Sequence, residues 1–208
     1  VERRKLLAAF RAEIVLTDGK KGMGGAIAEA ERLHRKTAGS IIAGQFTNPA
    51  NPAAHYATTG PELWEESGGS LDCFVAGVGT GGTFTGAARY LKEKNPSLRA
   101  IAVEPAGSPV LSGGKAGPHG LQGIGAGFVP ENYDASLADE VMRVKEEDAF
   151  AAARAVAKTD GVFAGITSGA ALFAAAQLAK RPENAGSRIA VILPDTGMRY
   201  LSTALFSE

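Results

Sequence analysis

Apolar positions alternate between two periods along this chain. Residues 3–11 place Leu6, Leu7 and Phe10 on one side of a helix, and residues 13–17 (EIVLT) read as a short strand. A helix over 26–36 follows the glycine-rich Gly22–Gly25 stretch, and 40–43 reads as a second strand. Two X-Pro steps at Asn48-Pro49 and Asn51-Pro52 bias the backbone to extended or turn geometry, so a domain junction is placed there. Beyond it the pattern predicts helices over 62–66, 82–94, 146–160 and 168–178, and strands over 71–76, 100–104 and 189–193. Residues 107–127 hold eight glycines and little periodicity, which predicts a long loop. Short apolar strands separated by helices are the mark of βαβ units. The expected fold is therefore α/β, a parallel-rich twisted sheet flanked by helices.

Composition changes this picture little. The 208 residues are 45% hydrophobic and 21% charged, ordinary for a soluble globular chain. The 22 basic and 22 acidic residues cancel, so no surplus points to nucleic acid or to a membrane surface. No apolar run reaches the ~18 residues of a membrane span. Cys73 is the sole cysteine and lies in an apolar run, which makes it a core residue and fits a reducing, cytoplasmic compartment. His34 and His55 have no ligand-spaced partners, and Glu65 and Glu66 read as a solvated helix face.

The chemistry concentrates at Gly77-Val78-Gly79-Thr80-Gly81-Gly82-Thr83, between a strand and a helix. A helix start offers unpaired N–H donors and partial positive charge, and glycines let the backbone come close to a phosphate. Thr80 and Thr83 add hydroxyls. Gly77, Gly79 and Gly82 also satisfy G-x-G-x-x-G, and Glu104 follows Gly82 by 22 residues, where a ribose-binding acid belongs. From this loop alone, a nucleotide-binding oxidoreductase using Gly77–Gly82 and Glu104 stays open beside a phosphate-monoester site.

Five strings in one order carry a resemblance: QFTNPANP from Gln45, GVGTGGT from Gly77, GLQGIGAGF from Gly120, AGITSGAA from Ala164 and ILPDTGMRYLSTALF from Ile192. Together they resemble the O-acetylserine sulfhydrylases, or cysteine synthases, fold-type II enzymes that use pyridoxal 5'-phosphate (PLP). The resemblance implies PLP-dependent β-replacement, making L-cysteine from O-acetyl-L-serine and sulfide. It implies that Gly79, Thr80, Gly81, Gly82 and Thr83 hold the cofactor phosphate. Thr167 stands where the family has a serine at the pyridine nitrogen, so an extra methyl has to be accommodated, and Ser168 is the neighbour that could substitute. Pro194 and Asp195 match a segment beside the ring, although Asp195 could equally cap a helix over 198–203. Gln45 matches a glutamine that binds the substrate carboxylate, or else satisfies backbone at the junction. Gly123, Gly125, Ala126 and Gly127 match a loop at the active-site mouth.

Against the family pattern, residues 1–48 look like the end of the smaller, mobile domain and 49–208 like most of the larger, PLP-binding one. The family's Schiff-base lysine segment (S-V-K-x-R) and its T-S-G-N-T-G loop do not occur, and none of the ten lysines has a matching context. The chain is therefore expected to lack an N-terminal part, and alone to be unable to form the lysine–cofactor bond. Related readings within PLP chemistry are cystathionine β-synthase and phosphoserine sulfhydrylase or cyanoalanine synthase. The resemblance also implies a homodimer, and a serine acetyltransferase C-terminal tail as partner. There the family has a lysine after Gly-Pro-His, whereas His119 is followed here by Gly120.

Overall fold

A computed structural model describes residues 2–206, with the side chains of Glu2 and Arg3 left aside. Contacts divide the chain into two units, Val1–Ala43 and Gly44–Glu208. In the first, α1 (Glu2–Ala9) and α2 (Gly22–Lys36) are the only long elements among the described residues. The segments 13–17 and 40–43, expected as strands, join no sheet ladder among the described residues. A strand exists by its ladder. Without one, Val15, Leu16, Ile41 and Ile42 stay exposed. The glycines before residue 26 form the first turn of α2 instead of a preceding loop.

In the second unit, the two X-Pro steps open a helix and do not make a turn. Pro49 sits at the cap of α3 (Ala50–Ala57) and Pro52 in its first turn, where a missing N–H breaks no helical bond. Asn48 Oδ1 accepts from the Ala50 amide at 3.0 Å, closing that end. Next come α4 (Thr59–Glu66), β1 (Cys73–Gly77), α5 (Gly82–Lys94) and β2 (Arg99–Pro105). A long irregular stretch, which includes the expected loop over 107–127, leads to β3 (Glu140–Val144). Finally α6 (Glu146–Thr159), α7 (Ile166–Ala179) and β4 (Ile189–Val191) complete the unit. The helix expected over 198–203 reduces to a 3-10 turn at Gly197–Arg199.

The four strands are parallel in the order β3-β2-β1-β4. Alternation along β1 and β2 explains why both faces are covered. Phe74, Ala76, Ala100 and Ala102 pack with Phe84, Ala87 and Leu91 of α5, and Cys73, Val75, Ile101 and Val103 pack with α6 and α7. Cys73 is a free, buried thiol, pushed up in pKa by burial. The chain builds outward from β1 to β2 and β3, then returns to β1's other side with β4. The strand order thus reverses between β1 and β4, and the crevice beyond their C-terminal ends is where open parallel sheets bind ligands.

Candidate active site

β1 ends at Gly77, and its loop feeds α5. Gly81 takes a left-handed φ of 87° and has no side chain to cap the first-turn amides. Added Cβ atoms show why glycines are needed. One on Gly79 would lie 2.4 Å from the Gly123 carbonyl oxygen, and one on Gly82 would lie within 2 Å of Asn51 Oδ1. A third, on Gly77, would press against Ile124 and the Thr167 methyl. The glycine loop, the 122–127 loop and the start of α7 therefore meet beyond the end of β1. That emptiness beside Gly77 is what receives the extra methyl of Thr167.

The two helix starts in this crevice differ in charge. At α7, Asp195 accepts from the Thr167 amide (3.1 Å) and the Ser168 amide (2.8 Å). The Ser168 hydroxyl donates to the same carboxylate at 2.6 Å and accepts from the Asp195 amide at 3.1 Å. A carboxylate thus already neutralises that helix end. This corrects two expectations. Asp195 caps α7 and not the 197–199 turn, which Thr196 caps. Ser168, buried and committed to Asp195, cannot stand in for Thr167. At α5 no carboxylate intervenes, so its first-turn amides and the half-buried Thr80 and Thr83 hydroxyls remain for an anion.

Thr167 is 4% exposed and its hydroxyl donates to the Gln122 carbonyl at 2.7 Å, leaving its lone pairs to accept. Pro194 lies between β4 and Asp195. Gly123, Gly125 and Gly127 all have positive φ, with Ala126 among them. Their loop is pinned by the Gly125 amide on the Val78 carbonyl (3.2 Å) and by His119 Nε2, 3.0 Å from the Gly125 carbonyl oxygen. Gln45 is exposed. Its carbonyl accepts from the side-chain amides of Asn51 (2.8 Å) and Asn132 (2.9 Å), so its own amide is not what satisfies the backbone there. Sequence reasoning passed over Asn51, Gln122 and Asn132, and read His55 only as a histidine without ligand-spaced partners. The i, i+4 spacing of Asn51 and His55 was the one readable signal, hidden by reading their prolines as a junction.

Glu104 is not available to a ribose. It is 1% exposed and accepts from the Leu111 amide at 2.7 Å, the Ser112 amide at 3.2 Å and the Ser112 hydroxyl. Both its oxygens are spent fixing the loop after β2. Among the described residues no group of His, Cys, Asp and Glu could hold a metal ion, and no helix is long and apolar enough to cross a membrane.

A family model described as pyridoxal-phosphate dependent enzyme matches residues 1–195. Cysteine synthase A of Escherichia coli K12 is 48% identical over all of this chain and 67% of its own length. A cysteine synthase from Entamoeba histolytica superposes with a TM-score of 0.94 at 49% identity, over 99% of this chain and 61% of that one. An O-acetylserine dependent cystathionine β-synthase from Helicobacter pylori gives 0.91 at 42% identity, covering all of this chain and 67% of that one. The chain thus spans about two thirds of the length of these relatives.

Proposed function

Because the chain belongs to the pyridoxal-phosphate dependent enzyme family, we propose that it serves in a cysteine synthase, joining sulfide to the β-carbon of O-acetyl-L-serine with loss of acetate. One observation carries the reading: of two helix starts facing the crevice, only that of α5 lacks a carboxylate, and it carries two threonine hydroxyls. That cradle fits a phosphate monoester, and the engaged Glu104 removes the group a dinucleotide would need.

When bound, PLP supplies an electron sink for loss of the α-proton and the β-substituent. The α5 amides with Thr80 and Thr83 would hold its phosphate. Thr167 Oγ1 would meet the ring nitrogen, beside Pro194 and the Asp195 cap. To serve an unprotonated nitrogen, Thr167 would turn its one proton from the Gln122 carbonyl to the ring; a neutral hydroxyl, unlike a carboxylate, does not force that nitrogen to stay protonated. Gln45, exposed on a carbonyl-anchored turn, would reach the substrate carboxylate. The small residues Gly123, Gly125 and Ala126 would leave room for substrate and sulfide. The same reading takes the enzyme as a cytoplasmic homodimer. Binding of a serine acetyltransferase tail is part of it; the Glu146 carboxylate, which accepts from the Gly120 amide at 2.8 Å, stands where a side chain at 120 would begin and would swing aside for the family's lysine.

The test is product formation by the enzyme in which this chain serves, with PLP present, offering O-acetylserine, O-phosphoserine and serine in parallel. Cysteine from O-acetylserine and sulfide at the highest kcat/KM is expected. Preference for phosphoserine or serine would move the assignment within the family. The Helicobacter pylori relative favours a second reading, with a larger thiol in place of sulfide. Faster turnover with homocysteine than with sulfide would select it.

A further inference from the structure

Behind the α5 cradle lies a second layer that the sequence does not advertise. Helix α3 packs on α5 through glycines: a Cβ on Gly86 would lie 2.2 Å from the Pro52 carbonyl oxygen and 2.7 Å from His55 Cβ. That approach brings Asn51 and His55, four residues apart on one face of α3, to the two threonines of the phosphate loop. Asn51 Nδ2 is 2.8 Å from the Gln45 carbonyl oxygen and 2.9 Å from Thr80 Oγ1. A carbonyl only accepts, so the nitrogen of Asn51 must face this way, and its second hydrogen goes to Thr80. His55 Nε2 is 3.1 Å from Thr83 Oγ1, and its Nδ1 is 2.8 Å from Thr59 Oγ1. His55 is half-buried, and desolvation holds its pKa below the ordinary histidine value, which favours the neutral ring with a single N–H.

Where that N–H sits decides what Thr83 can do. With hydrogen on Nδ1, Nε2 is an acceptor and takes the Thr83 proton, so Thr83 turns only lone pairs toward an anion. With hydrogen on Nε2, the ring donates to Thr83 Oγ1, Thr59 donates to Nδ1, and the Thr83 proton is free to point into the cradle. A phosphate dianion therefore selects the second arrangement.

Resting on the cofactor reading above, we propose that Asn51 and His55 are positioning residues that donate from behind to Thr80 and Thr83, so that both hydroxyl protons face the phosphate. His55 acts as the Nε2–H tautomer, held so by the Thr59 hydroxyl. Neither residue touches the ligand. They fix the direction of two rotors that would otherwise have to be turned at the moment of binding.

The probe is pyridoxine 5'-phosphate, which keeps the phosphate and ring but lacks the aldehyde. With only three histidines in the chain, His55 can be assigned by ¹⁵N NMR. Its Nε2–H form is expected in the complex. His55→Gln, whose terminal amide can still donate near the Nε2 position, is expected to bind within about threefold of wild type. His55→Asn, too short to reach Thr83, is expected to bind about tenfold more weakly, the equivalent of one lost hydrogen bond. An Nδ1–H tautomer in the complex, or equal affinities for the two variants, would overturn the proposal while leaving the cofactor site standing. Failure of the wild-type protein to bind the probe would overturn both.

Discussion

Asp195 reaches back 27 and 28 residues to hold the Ser168 and Thr167 amides at the start of α7. A side chain that satisfies orphaned helix amides contributes about 1–2 kcal/mol. Asp195→Ala should lower the unfolding free energy by that amount in urea titrations, with the Ser168 hydroxyl still served by the backbone of residue 195. The cap could not be read from the sequence, because cap patterns are local and this one spans a strand. Residues 195–198 looked instead like the start of their own helix. Thr167 was singled out by the resemblance, yet the place for its methyl, the missing side chain of Gly77, emerges only when the two segments meet.

Among elements, β3 was missed and the reason is its sequence. Glu140-Val-Met-Arg-Val144 sets two charged residues among three apolar ones with no period of two, and it lies at the edge of the sheet, where charged residues are common. Its first residue anchors a small network: Arg181 grips both Glu140 oxygens at 2.7 Å, and Arg99 adds a contact at 3.1 Å. The Arg181 guanidinium holds the Glu140 carboxyl below the usual glutamate value, against the opposing pull of burial. A depressed folded value means that stabilisation is complete above the unfolded value of about 4.3 and is lost as pH falls through the folded one. Glu140→Gln should therefore cost about 1 kcal/mol at neutral pH. The gap from wild type should narrow in unfolding curves taken at successively lower pH below about 4.3. By contrast β1, its loop and α5 were plain in the sequence, since strand, glycines and amphipathic helix follow one another without interruption. α3 was not, because proline at a helix start and proline in a turn look alike until the cap is seen.

At the scale of the molecule, stability is unevenly shared. Residues 4–43 include none that is buried, whereas both faces of the sheet in the second unit are closed over by helices. Segments with few buried contacts open at little cost. In hydrogen exchange read by mass spectrometry, amides of α1 and α2 should exchange orders of magnitude faster than those of β1, β2 and α5. Comparable protection in the two sets would contradict this division. The α/β class and the parallel sheet were legible because their periodicities are local. The pairing order was not, since it depends on which strand returns to β1.

That return is brief. β4 joins β1 across Cys73↔Ile189, Phe74↔Ala190 and Val75↔Val191, with one further step at each end, from the Asp72 amide to the Arg188 carbonyl and from the Ile192 amide to the Val75 carbonyl. On one flank of this narrow seam stands the amide cradle, on the other the chain that ends in Asp195 and grips α7. A guest fastened to both flanks would act as a rivet, and part of its affinity would be stored as resistance to shear along that line. Emptied of its guest, the sheet should part along that line before any other.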